Sequence, residues 1–393
     1  MDRSDLFWEV GSIDYPIIDA DAHVNEPPDL WVTRVPARWR RRAPRVEHTD
    51  RGDVWIFDDG KLRMDVGLTA VAGKSFLDYS NTGATYEQMR PGSWDTKARL
   101  ADMDIDGIWG QVMYPSITLG GTKVYGDDPE LQHACVRAYN EWLLEFCAGS
   151  GGRLIPQAII PACGTEGAVK ELEWAIANDH RGAVISAFPN GSLDHDPTDD
   201  RFFAIAQEAD FPLSVHIGSF SARSSNYRSI DWNDLQFIAL AIAPRCGGGV
   251  IEATLALIFS GIFEKFPRLK MLLVESNIAW IPGLLEQSDD MFQRYRWFTG
   301  AVDKMRTMPS RIFLRNFWAT FMLDAAGLEM LHHMNVDHLM FSTDYPHSAS
   351  DWPASRTTIE KLFRGLPKDQ VRRMLRDNAV KLYDLKDVPE RLV

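Results

Sequence analysis

The chain has 393 residues, 45% of them apolar, which is enough for a large core and compatible with one long α/β domain. A net charge of -13 and a pI near 5.3 argue against nucleic acid or an anionic membrane as partner, because both favour a basic surface. Cys135, Cys147, Cys163 and Cys246 lie far apart with no C-x-x-C pair or zinc-type spacing, so no disulfide framework is expected and a reducing cytosol fits best.

In chain order, the opening MDRSDLFWEVGS lacks the apolar stretch of a signal peptide. No apolar run approaches the roughly 20 residues of a membrane span, so a soluble, cytoplasmic protein is expected. The stretch IIDADAHVNEP follows, with Asp19, Asp21 and His23 in alternation. In a strand these three side chains share a face. A buried face cannot keep two carboxylates and an imidazole without partners, and a divalent cation is the simplest partner.

Residues 28–98 are rich in Trp, Arg, Pro and Gly and read as an excursion from the first strand that covers one end of the main body. Within it, residues 54–67 carry a D-D-G turn between two alternating runs, a hairpin signal. The basic run 38–42 reads as a solvated face. From residue 99 short apolar runs alternate with helical patterns. Strands are expected at 107–114, 154–160, 183–186, 212–217, 269–275, 317–322 and 338–342. Helices are expected at 129–148, 165–178, 199–209, 251–263 and 325–334, with 367–385 as a closing amphipathic helix. Counting the first strand, this makes eight strand-then-helix units, the pattern of a closed parallel TIM-type (β/α)₈ barrel. It forms a single domain, residues 1–393, with insertions after strands one and five. The second insertion, 218–249, would lie at the C-terminal face of the strands, where such barrels place their sites.

The strand ends carry ligand-type side chains. His216 closes strand five, Glu275 closes strand six, and Asp344 and His347 follow strand eight in STDYPH. With Asp21 and His23 they form an oxygen and nitrogen set suited to zinc, manganese or iron. A metal there lowers the pKa of bound water and polarises a carbonyl. Singly, each residue has an ordinary structural reading; converging from four strands, they point to a site. Asp19 reads as hydrogen-bonded inside the barrel, Glu26 as a neighbour of the site or a substrate contact, and His180, His332 and His333 as surface residues. Arg223, Tyr227 and Arg228, early in the second insertion, hint at a small organic acid or aryl substrate.

IDADAHVNEP, SVHIG, FEKFPRLKMLLVES with Trp280 and Pro282 beyond it, FSTDYPHSASDWP and LRDNAVKLYDL together resemble the amidohydrolase-related family. This is the branch of the amidohydrolase superfamily that includes aminocarboxymuconate semialdehyde decarboxylase. The resemblance implies a distorted barrel with a metal at the strand C-termini. Asp21 and His23 stand at the first-strand ligand pair, His216 at the strand-five ligand, and Asp344 at the strand-eight ligand that also transfers a proton. Many relatives have His-x-His where this chain has Asp21-Ala22-His23. The decarboxylases it resembles carry a catalytic His at the end of strand six, where Glu275 stands here. Glu275 and His347 could instead hold a second metal, as in the few members that use two.

The expected activity is metal-dependent hydrolysis, with metal-bound hydroxide attacking a carbonyl, Asp344 moving the proton, and Glu275 and His347 assisting. The alternatives are a dinuclear Mn/Fe oxygen-dependent hydroxylase, a metal-dependent decarboxylase, and a non-catalytic partner subunit. The expected cofactor is a divalent metal (zinc, manganese or iron), one or two per chain. The expected assembly is a homo-oligomer or a complex with a paralogous barrel subunit.

Overall fold

A computed structural model describes residues 13–50, 52–80, 82–220 and 235–392. The apolar runs form the parallel strands β1 (Ile18–Val24), β5 (Gly110–Pro115), β6 (Leu154–Ile159), β7 (Gly182–Val184), β8 (Leu213–His216), β9 (Met271–Val274), β10 (Phe317–Phe321) and β11 (Leu339–Phe341), paired in that order. The ring closes where Ala22 bridges Tyr345 in parallel and His23 N donates to Tyr345 O at 2.6 Å. The (β/α)₈ barrel expected from the sequence is therefore present.

Both faces of the sheet are buried, so its strands are apolar on alternate residues toward two different cores. Met271 and Leu273 pack outward with Ile258 and Leu285 of the helical layer. Leu272 and Val274 pack inward with Tyr114 and Met340.

The excursion after β1 contains an antiparallel sheet of β2 (Arg45–Thr49), β3 (Gly52–Phe57) and β4 (Leu62–Asp65). The turn between β3 and β4 has Asp58, Asp59 and Gly60 all at positive φ, the conformation that Asp and Gly tolerate best. The hairpin was legible in sequence, whereas β2 was not. The basic run is solvated but paired: Arg41 meets Asp59 at 2.6 Å and Arg38 meets Glu130 at 2.9 Å.

The helix Pro129–Ala148 has the expected bounds. The expected helix 251–263 is split into Ile251–Phe259 and Ile262–Lys265, because Gly261 adopts φ 81 between them. The expected helix 325–334 ends early, at Glu329, and a 3₁₀ turn, Leu331–His333, follows. The run Ala241–Phe259 is long and apolar enough by composition to cross a membrane, contrary to the sequence reading. Two features make it a barrel element: Gly247 breaks its helical geometry at φ 85, and Ala253, Thr254, Leu257 and Ile258 are buried. All four cysteines are free.

Candidate metal centre

Asp21 and His23 lie on β1, His216 is the last residue of β8, Glu275 follows β9 and Asp344 follows β11 by three residues. The chain must turn sharply off these strands to reach the helices. Glu275 and Asp344 do so at φ 58 and 56, a left-handed conformation that costs a non-glycine residue about 1–2 kcal/mol. Asp344 N donates to Asp21 O at 2.9 Å, which ties the two acidic segments together.

The side chains meet in the barrel mouth. His23 Nε2 lies 3.3 Å from Asp21 Oδ1 and 3.2 Å from Asp344 Oδ1, and His216 Nε2 lies 3.4 Å from Asp21 Oδ1. Atoms bound at about 2.1 Å to one tetrahedral or octahedral ion stand roughly 3.0–3.4 Å apart, so these separations match a shared cation. The buried atoms Asp21 Oδ2, His23 Nε2, His216 Nδ1 and Asp344 Oδ1 have no hydrogen-bond partner. Buried polar atoms are rarely left so, and a cluster of them fits a cation. His23 Nδ1 donates to the carbonyl of Pro115 at 2.8 Å, which leaves the Nε2 lone pair for a metal.

The residues form two overlapping groups, Asp21, His23, His216 and Glu275 on one side and His23, Asp344 and His347 on the other. The expected set is thus brought together, with His23 common to both halves and Asp344 grouped with His347.

The electrostatics reflect crowding of opposite charges. Burial would raise Asp21, but His216 and His23 hold its carboxyl below the usual range. Burial would lower His23, yet Asp21 and Asp344 push it well above 6.5. Glu275 is pushed well up, first by burial and then by Asp344 and Asp21. Asp344 stays low despite burial because His347 and His23 face it. His347 is lowered by burial and by His23.

Sequence reading missed Arg245. Its Nη2 lies 3.5 Å from Glu275 Oε1 and 3.7 Å from Asp344 Oδ2. Two residues on, Gly247 packs so tightly on Trp280 that a Cβ would come within 2.5 Å of the indole. That contact fixes the turn carrying Arg245. The signal was available: Arg245 is the lone charge in the apolar run LQFIALAIAPRCGGG.

Glu26 is fully buried, with Oε1 accepting from Ser116 N at 3.2 Å and Ile117 N at 3.4 Å, and burial raises its pKa to about 7. Asp19 is fully hydrogen-bonded, as expected. His332 and His333 are exposed, but His180 is a correction: it is 3% exposed and lies beside Trp174. Its place after a helix and before β7 looked like surface, but the chain turns inward there. Arg223, Tyr227 and Arg228 lie outside the described residues.

Residues 18–385 match the amidohydrolase family. The chain belongs to that family. A curated relative, decarboxylase orsB of Emericella nidulans, is 25% identical over 293 residues, 70% of this chain and 83% of the relative. The crystal structure of amidohydrolase map2389c from Mycobacterium avium subsp. paratuberculosis superposes with a TM-score of 0.75 at 20% identity, covering 95% of this amidohydrolase and 100% of that chain. That of 5-carboxyvanillate decarboxylase from Novosphingobium aromaticivorans, complexed with manganese and a nitrobenzoic acid, does so with a TM-score of 0.66 at 18% identity, covering 96% and 99%. The fold and the family are those expected, and the chain is a metal-dependent enzyme of the amidohydrolase superfamily.

Proposed function

We propose that this amidohydrolase is a metal-dependent decarboxylase of a small organic acid, an aryl carboxylate by preference, rather than the hydrolase first expected. The observation that carries this reading is Arg245, a guanidinium set against Glu275 and Asp344 at the edge of the ligand cluster. Such a group pairs with a substrate carboxylate in a fork geometry. The decarboxylases among the relatives support the same choice.

Asp21, His23, His216 and Asp344 would hold the cation, with manganese, zinc or iron all compatible with the donors. Once bound, it polarises the substrate oxygens and stabilises the charge that develops as the carbon–carbon bond breaks. Arg245 orients the carboxylate. Asp344, held ionised by His347 and His23, would take a proton from a bound water or substrate hydroxyl and pass it to the ring carbon that bears the carboxylate. Carbon dioxide leaves with the bonding pair returned to the ring, and bulk water returns the proton to the group that gave it. The free cysteines support a reducing cytosol as the working compartment.

Incubation of the Mn²⁺-loaded enzyme with a panel of hydroxybenzoic acids should release carbon dioxide. Arg245→Met should raise KM for the acid by about tenfold or more, the value of a charge-assisted contact. Glu275 supports a second reading: a carboxylate in place of the relatives' imidazole suits hydrolysis or, with two ions, hydroxylation. Turnover of esters, amides or lactones without carbon dioxide release would install that reading instead.

A further inference from the structure

His23 and His347 stack with ring centroids 3.9 Å apart and planes 17° apart. Each spends one nitrogen on the end of β5. His23 Nδ1 bonds the carbonyl of Pro115, and His347 Nε2 lies 2.9 Å from Ser116 Oγ. Their other nitrogens stand 3.2 and 3.0 Å from a single oxygen, Asp344 Oδ1. That oxygen is buried.

A carbonyl only accepts, so the His23 tautomer is fixed by Pro115. A hydroxyl can donate or accept, so the His347 tautomer must be decided at its other nitrogen. His347 stands with His23 and Asp344 in one candidate cation group, its Nδ1 3.0 Å from Asp344 Oδ1, and a cation held there takes the Nδ1 lone pair. The proton therefore belongs on Nε2. We propose that Ser116 is a positioning residue whose Oγ accepts from His347 Nε2–H, leaving the Nδ1 lone pair facing a divalent cation beside Asp344. The proposal rests on the metal-centre reading above and adds the residue that orients one of its imidazoles.

Glu26 enters through Ser116. Its buried carboxyl takes the backbone N–H groups of Ser116 and Ile117 and so holds the hydroxyl in register with His347. This gives Glu26 a role through the end of β5, in place of the substrate contact considered from the sequence. Consecutive residues, Pro115 and Ser116, thus serve two stacked imidazoles in the same way, one through a carbonyl and one through a hydroxyl.

The test is Mn²⁺ titration of metal-free wild type, Ser116→Ala and Ser116→Thr, together with ¹⁵N imidazole spectra of the Zn²⁺-loaded proteins. Ser116→Ala should weaken cation binding about 10- to 100-fold, the usual effect of removing such a partner, and Ser116→Thr should restore it. The His347 resonances should report a proton on Nε2 in wild type and a tautomer mixture in Ser116→Ala. Unchanged binding by Ser116→Ala, equal loss in both variants, or a His347 proton on Nδ1 overturns the role of Ser116 alone. Failure of wild type to bind any divalent cation overturns the metal-centre reading with it. Melting curves of the metal-free variants show whether each is folded, and should Ser116→Ala not fold, Ser116→Thr and the wild-type spectra decide.

Discussion

Two carboxylates two residues apart on β1 have opposite surroundings. Asp19 accepts from Thr343 N at 2.9 Å, Asp21 N at 3.1 Å, Gln111 Nε2 at 3.0 Å and Thr343 Oγ1 at 2.5 Å. Gln111 in turn accepts from Arg99, which lies fully buried over the ring of Tyr345 and also donates to the carbonyl of His23. Asp21, equally buried, keeps an oxygen without any partner and faces two imidazoles. The first carboxylate closes a complete polar network beneath the site, and the second is part of an incomplete one. Because burying an unpaired acceptor costs about 1–3 kcal/mol, an incomplete cluster persists where a ligand completes it. Completeness of bonding, rather than burial, separates Asp19 from Asp21.

The sharpest way to break this comparison is to remove ligands from the incomplete side. Asp21→Ala with His216→Ala should abolish stoichiometric metal binding and lower turnover on the order of 10³-fold, by metal analysis and rate assay, while the metal-free protein melts no lower than wild type. Retained metal would refute the site. The complete side should behave the other way. Asp19→Ala leaves Gln111 and Thr343 unpaired and should lower unfolding free energy by about 4 kcal/mol in urea titration, yet the folded fraction should still bind metal. A variant that keeps its stability but loses metal would erase the distinction.

A smaller effect tests whether a solitary buried imidazole differs from a cluster. His180 is buried, and burial lowers its pKa from 6.5 to about 4 against a smaller opposing effect of the Asn140 and Ala175 backbone. The unfolded chain therefore binds more protons than the folded one between those values. Stability should fall as pH drops from 6.5 to 4, by on the order of 3 kcal/mol if His180 acts alone, and should be level with respect to this group above 6.5. Denaturation midpoints of wild type and His180→Leu across that range check it, since the variant should lose this part of the slope. An equal slope in both would assign it to other groups.

The barrel was legible because its signals are local. The strands are short apolar runs between turn residues, and the helices follow a 3.6-residue apolar period, in one case with a clear cap, Asp128 before Pro129. The ligand types were legible for a related reason: strand ends in a barrel converge, so listing what stands at them lists the site. Boundaries slipped where a single backbone angle intervened, as at Gly261. Ser116 and the burial of His180 were not legible, and Arg245 stood out only as a lone charge in an apolar run, because the role of each depends on which distant segment the chain folds against.

By itself, then, the sequence determined the strand-and-helix alternation and the donor atoms carried to one end of it. Periodicity and residue chemistry are properties of neighbours along the chain. Only the tertiary structure decided that Asp19 is satisfied and Asp21 is not, that Arg245 reaches Glu275 and Asp344, and that Pro115 and Ser116 orient two imidazoles. These depend on separations of about 3 Å between residues far apart in sequence, and hydrogen bonding and coordination fall off within a fraction of that distance.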